Sequence, residues 1–217
     1  MTDFAAARRM MVDGQVRTAD VTDLRVLAAF QDVPREHFLP PAMSGLAYLD
    51  LDVPVSEDGA RRLLKPMVLA KLIQAAEIDE SDRVLDVGCA TGYSSAVLSE
   101  LAREVIALEE DAELARQAME ALRDRRHITV ANGALTSGWP AAAPYDAIVL
   151  NGAIEAAPRA LCRQLKEGGR LVCVIGTGRA GKATVFRRGG EETGSRAIFD
   201  AAAPLLPGFA KPAAFAF

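Results

Sequence analysis

Asp86-Val87-Gly88-Cys89-Ala90-Thr91-Gly92-Tyr93 is the stretch on which the reading of this chain turns. It follows the apolar pair Val84-Leu85 and runs into a segment of small residues, Ser94 to Ala102. The order is strand, tight glycine turn, helix, which lets a nucleotide-like ligand lie against bare backbone at a helix N-terminus. Glu109, 17 residues beyond Gly92, closes the next apolar run, Val105-Ile106-Ala107-Leu108. A carboxylate in that place suits both hydroxyls of a ribose. Together the turn and the acid point to an adenosine-type ligand.

Outward from the turn, regular alternation begins at Arg83. Strands are expected at Arg83–Val87, Glu104–Leu108, Ile128–Ala131, Ala147–Leu150 and Arg170–Ile175, with helices at Ser94–Ala102, Ala112–Arg123 and Pro158–Leu165. Such alternation predicts an α/β fold, a doubly wound and mostly parallel Rossmann-like sheet with helices on both faces. Gly168-Gly169 reads as a helix stop ahead of the fifth strand. The tail reads as a β-hairpin, Ala183–Arg188 and Arg196–Asp200, around a long loop, Gly189 to Gly194.

Residues 1–65 lack the alternation and read as a helical extension with loops, set against a ligand-binding unit at 66–217, the whole forming one compact body. Helices are expected at Phe4–Val12 and Val21–Phe30, the second with Val21, Leu24, Leu27 and Ala28 on one face and a cap at Asp20 or Thr22. Val33-Pro34-Arg35-Glu36-His37-Phe38-Leu39-Pro40-Pro41 is irregular and proline-studded. Pro66 suits the first position of a helix running to about Ala76, where its missing N–H costs nothing.

Composition removes several function classes. Of 217 residues half are hydrophobic, enough for a full core, and the net charge of -4 lacks the basic surplus of a nucleic-acid binder. The cysteines Cys89, Cys162 and Cys173 are odd in number and unpaired in spacing, which suits a reducing cytoplasm. Two distant histidines, His37 and His127, make no metal-ligand pattern, so no metal is expected. No apolar run approaches the ~20 residues of a membrane span, and Met1-Thr2-Asp3-Phe4 lacks a signal-peptide layout. The expectation is a cytoplasmic protein with neither nucleic-acid nor membrane partner.

Glycine spacing narrows the ligand. A dinucleotide turn needs glycine at 88, 90 and 93, and a P-loop needs Gly-Lys-Ser/Thr; the chain has Gly88, Ala90, Gly92 and Tyr93 with no lysine. Asp-x-Gly-x-x-x-Gly followed by an acid closing the second strand is the layout of class I methyltransferases that use S-adenosylmethionine. That ligand carries no pyrophosphate, so the loop amides and helix N-terminus are expected to face its amino-acid carboxylate. Asp86 complements the positive sulfonium, and Glu109 takes the ribose hydroxyls. Cofactor contacts are expected from Asp86, Gly88, Cys89, Ala90, Gly92, Tyr93, Glu109 and Asn151. Asn132 and Gly133, past the third strand, are placed to meet adenine; a plain turn is an equal reading. Asn151 and Gly152, past the fourth strand, lie where a methyl acceptor belongs, because ligands bind beyond the carboxyl ends of parallel strands. The sequence Asn151-Gly152-Ala153-Ile154 lacks the prolines and aromatic residue used by enzymes that methylate exocyclic amines of bases.

The chain resembles the protein-L-isoaspartate O-methyltransferase family well beyond this loop. The resemblance rests on Met11-Val12-Asp13-Gly14-Gln15, on Val33-Pro34-Arg35-Glu36-His37-Phe38-Leu39-Pro40 and on Ala47-Tyr48-Leu49-Asp50. It continues through Gly92-Tyr93, Ala143-Pro144-Tyr145-Asp146-Ala147-Ile148 and the run Gln164 to Val172, covering roughly residues 8 to 180. It implies methyl transfer from S-adenosylmethionine to isoaspartyl carboxylates of damaged proteins, with a protein or peptide as partner. Two departures stand out. The family's substrate motif Thr-Ile-Ser-x-Pro is here Arg62-Leu63-Leu64-Lys65-Pro66, and its Gly-Asp-Gly is Ala131-Asn132-Gly133.

Losing the serine removes an orienting donor but leaves the reaction possible, since a carboxylate nucleophile is ionised at pH 7 and needs no general base; no catalytic residue is assigned. An apolar Leu64 beside that anion leaves it poorly satisfied, at a cost of about 1–3 kcal/mol or more. Arg62 and Lys65 are candidates for a compensating cationic clamp, against the expectation that Arg61, Arg62 and Lys65 form a solvated loop. The same departure keeps two alternatives open: a related methyltransferase with another, small-molecule acceptor, and a non-catalytic binder of the cofactor.

Overall fold

In the computed structural model the described residues are 3–190 and 192–211. In chain order the elements are α1 (Phe4–Met11), α2 (Leu24–Asp32), β1 (Val53–Pro54), β2 (Arg62–Leu63), α3 (Pro66–Ala75), β3 (Arg83–Val87), α4 (Tyr93–Ser99) and β4 (Glu104–Glu109). They continue with α5 (Ala112–Ala121), β5 (Ile128–Asn132), β6 (Tyr145–Ile154), α6 (Arg159–Cys162), β7 (Leu165–Ile175), β8 (Lys182–Gly189) and β9 (Glu192–Asp200). No helix among the described residues is long and apolar enough to cross a membrane.

Seven strands form one sheet in the order β5-β4-β3-β6-β7-β8-β9, and β1 pairs antiparallel with β2 apart from it. The pairs from β5 to β7 are parallel, and β7-β8 and β8-β9 are antiparallel. The winding reverses between β3 and β6, so a crevice is expected beyond the carboxyl ends of those two strands. The expected doubly wound, mostly parallel α/β fold with a C-terminal hairpin is therefore the one observed. The alternation along β3 explains its hold: Val84 faces a cluster with Val68, Val97 and Val105, while Leu85 and Val87 face Ile106, Ile148 and Leu161. Met11, Phe30 and Phe38 of the N-terminal region belong to the first of these clusters. Each fully buried aliphatic side chain contributes about 1.5–3 kcal/mol.

Several local expectations are corrected. Helix α2 is capped by Asp23, whose side chain accepts from the Arg25 and Val26 amides, not by Asp20 or Thr22. Its inward face is Val26, Leu27, Ala29 and Phe30, with Leu24 and Ala28 exposed, because Val21 lies outside the helix and the period restarts at the cap. The helix expected over Pro158–Leu165 is a single turn, and Gly168-Gly169 sits inside a bulged β7 rather than ending a helix. The long hairpin loop is also absent, since β8 and β9 pair as far as Gly189 and Glu192.

Gly92 turns the chain from β3 into α4 at φ 96°, and a Cβ there would lie 2.7 Å from Leu122 Cδ1. Gly92→Ala is expected to lower stability by about 1–3 kcal/mol through backbone strain and this contact, read as a reduced urea midpoint at unchanged slope.

Candidate active site

The crevice is built on two carboxylates. Asp86, at the end of β3, is fully buried and accepts from Ser94 Oγ at 2.7 Å, Ser95 Oγ at 2.5 Å and the Asn151 side-chain amide. Asn151 also leans on the Val87 carbonyl at 3.5 Å. The two serines come from the first turn of α4, so the turn that places Gly92 also aims the donors at Asp86. Burial pushes the Asp86 carboxyl up to about 6 even though Ser95, Ser94 and Asn151 pull it down.

Glu109, at the end of β4, has no exposed surface. Its oxygens accept from the backbone amides of Ala90 at 2.7 Å, Glu110 at 3.0 Å and Asp111 at 3.2 Å. Arg61 completes the set, with a guanidinium nitrogen 2.6 Å from Oε2 and Nε 3.3 Å from Oε1. Arg61 is only 6% exposed, so the solvated loop expected at this position is corrected. Charge pairing explains it: an ionised carboxylate at this depth draws in a guanidinium.

The glycine loop spends its amides internally. Gly88 and Cys89 donate to the Leu108 carbonyl, Ala90 to Glu109 and Gly92 to the Cys89 carbonyl. These four amides therefore do not face a ligand carboxylate, contrary to the sequence reading. What the loop presents is bare backbone at Gly88. A Cβ there would meet Leu206 Cδ2 at 2.9 Å and an Arg61 nitrogen at 3.1 Å. Ala90 adopts φ 53°, a left-handed conformation that costs a non-glycine residue about 1–2 kcal/mol.

The remaining predicted residues divide. Tyr93 packs edge-on against Phe30 and Phe38, with the Arg35 guanidinium 4.7 Å from its ring centroid. Burial raises its phenol to about 12 and lowers the Arg35 guanidinium. Cys89 is buried, and burial together with Asp86 and Glu109 holds its thiol well above the ordinary range, so it is no nucleophile. Asn132 is exposed and spends its side-chain donors on the Glu109 and Glu110 carbonyls, while the Gly133 amide donates to Glu109 O, an arrangement that builds a turn. Leu64 is buried beside Gly88, Ala90 and Asn151, and its carbonyl accepts from Arg35 at 2.9 Å. Arg62 lines the same spot, held by the Gly59 and Asp52 carbonyls, whereas the Lys65 amide is tied to Asp52. Sequence reasoning missed Arg61 as a site residue and Leu206 altogether; nothing in their local sequence marks them.

As acceptors, Asp86 and Glu109 with bare glycine backbone between them suit an adenosyl ligand bearing a sulfonium. Arg61 pairs with Glu109 and Leu206 lies over Gly88, while the cavity on the Leu64, Tyr93 and Asn151 side of the loop is only about 10 Å³.

The comparisons with known proteins agree with the fold. Residues 7–200 match the family model described as Protein-L-isoaspartate(D-aspartate) O-methyltransferase. The chain is 41% identical over 171 residues to protein-L-isoaspartate O-methyltransferase 2 of Pelobacter propionicus, covering 78% of this chain and 75% of the relative. It is 42% identical over 168 residues to the Rhodopseudomonas palustris protein-L-isoaspartate O-methyltransferase, covering 76% of each. Among solved structures, a protein-L-isoaspartate O-methyltransferase superposes with TM-score 0.79 at 24% identity, over 93% of this chain and 66% of that longer one. A Plasmodium falciparum protein described as a putative protein-L-isoaspartate O-methyltransferase, in complex with S-adenosyl-L-homocysteine, gives TM-score 0.78 at 16% identity, over 95% and 99%.

Asp86 also sets a pH dependence. Its folded pKa of about 6 lies above the unfolded value of about 3.9, so the folded state holds a proton that the unfolded state releases. The resulting stability is full below about pH 4 and is lost as pH rises through 6, amounting to at most about 3 kcal/mol. Denaturant unfolding from pH 4 to 7 is expected to show this fall in the wild type and a flatter profile in Asp86→Asn.

Proposed function

This chain belongs to the protein-L-isoaspartate O-methyltransferase family, and from that premise we propose that it is an S-adenosylmethionine-dependent O-methyltransferase acting on isoaspartyl carboxylates of damaged proteins. The observation that carries the reading is the buried Glu109 carboxylate, ringed by the Ala90, Glu110 and Asp111 amides and set beside the Asp86–Asn151 pair at the sheet's reversal. We assign residues 66–217 to the cofactor side of the crevice and residues 1–65 to the acceptor side. Three buried free thiols suit the cytoplasm as the compartment.

Glu109 is the residue assigned to the ribose hydroxyls, Asp86 to charge complementarity and Gly88 to close backbone approach. S-adenosylmethionine, when bound, supplies an electrophilic methyl group on a sulfonium. With its pKa near 6, Asp86 is mostly ionised at pH 7 and offers a negative charge in a dry site, where electrostatics act strongly. The acceptor carboxylate is already ionised, so the chain needs to orient it rather than deprotonate it. Leu63, Leu64 and Tyr93 keep water from this end of the crevice. Leu64 gives the acceptor no hydrogen bond, and the Asn151 amide is spent on Asp86. Arg62 is therefore the cation we assign to the acceptor carboxylate, replacing the hydroxyl donors of the family motif.

The test is methyl transfer to an isoaspartyl peptide, read as S-adenosylhomocysteine release and a base-labile methyl ester. Arg62→Ala is expected to raise KM about tenfold or more, the worth of a charge-assisted hydrogen bond. Leu64→Ser is expected to raise kcat/KM about tenfold by restoring a donor. Bound cofactor with no ester in either the wild type or Leu64→Ser overturns the isoaspartyl reading.

A further inference from the structure

The cleft between Asp86 and Glu109 is filled by this chain's own residues. Arg61 reaches in from the turn between β1 and β2, where its amide donates to Ser56 Oγ at 2.9 Å and its carbonyl accepts from the Val55 amide at 2.9 Å. With three backbone amides and two guanidinium N–H groups directed at Glu109, the roughly four acceptor positions of a carboxylate are spent. No lone pair is left for a ribose.

The second occupant comes from the far end of the sequence. Pairing of β6 with β3 ends at Leu150 opposite Val87, so the Ala153 backbone is open on that side, and the segment Pro204–Phe209 takes it up. The Ala153 amide donates to Pro204 O at 2.7 Å, the Leu206 amide donates to Ala153 O at 2.9 Å, and the Glu155 amide donates to Phe209 O at 3.1 Å. This strap drives Leu206, 1% exposed, over both glycines of the crevice; a Cβ on Gly152 would lie 2.6 Å from Leu206 Cγ. Its neighbours Leu205, Pro207 and Gly208 face solvent.

We propose that Arg61 and the strap Pro204–Phe209 form an autoinhibitory plug in the adenosyl cleft, so that cofactor binds only by displacing them. The proposal rests on the methyltransferase reading above and adds its regulation. Arg61 mimics the ligand's polar contacts on Glu109, and Leu206 mimics its apolar contact with Gly88. Both sit on connecting segments at the mouth of the cleft, so they can leave without unpairing the central sheet. Binding is thereby coupled to release of the strap, and anything that holds the strap open raises cofactor affinity.

Calorimetry with S-adenosylhomocysteine on the full chain tests this, comparing wild type, Arg61→Met and Leu206→Ala. Each variant is expected to bind at least tenfold more tightly than the wild type. Saturating the wild type is expected to speed hydrogen exchange at the Ala153 and Leu206 amides, a readout that needs no substitution and so survives a variant that fails to fold. Wild type and variants binding within twofold of each other, or ligand that protects those amides, overturns the plug while leaving the methyltransferase reading intact. Absence of binding in all three proteins overturns the plug and the cofactor-dependent reading together.

Discussion

A fully buried carboxylate, Glu109, is the constraint around which the crevice is organised. Removing an ionised group from water at that depth is tolerated only if nearly every acceptor position is filled. Here that demand is met from three parts of the chain: the glycine loop through Ala90, the start of α5 through Glu110 and Asp111, and the N-terminal region through Arg61. One side chain thus fixes the loop between β3 and α4, the exit of β4, and the position of residues that precede the sheet.

The same demand accounts for the closed crevice. A charge that must be satisfied in the absence of a ligand is satisfied by whatever cation lies within reach, and the β1-β2 turn puts Arg61 there. Asp86 shows the other solution. It takes neutral donors, two serine hydroxyls and an amide, and burial leaves its pKa raised to about 6. Two acids packed beside one glycine turn thereby have opposite electrostatic characters, one paired with a cation and one held by dipoles.

Much of this architecture was legible along the chain. The strand-turn-helix at Asp86–Tyr93 and the acid closing the next strand were local patterns, and the parallel strands appeared where apolar runs of the right length occurred. Failures clustered where a neighbour decided the outcome. The face of α2 was misread because its phase depends on Asp23 acting as the cap. Gly168-Gly169 looked like a helix stop, but pairing between β6 and β7 absorbed it as a bulge. Tyr93 sits beside the cofactor loop in sequence, while its ring packs among Phe30 and Phe38 from a distant segment. Arg61 looked like a surface residue because the carboxylate that buries it lies 48 positions away.

What the sequence determined by itself was the fold, the family and the kind of ligand, because glycine spacing, apolar period and strand-end acids are local properties. Whether that ligand's place is open was decided only in three dimensions. Arg61 and Leu206 carry no local mark, and they meet over Gly88 only because the sheet reverses at β3 and β3 ends short of Ala153, leaving that backbone to the segment Pro204–Phe209. The long-range satisfaction of one buried charge and one unpaired strand end determines what fills the cleft, and no pattern along the chain encodes it.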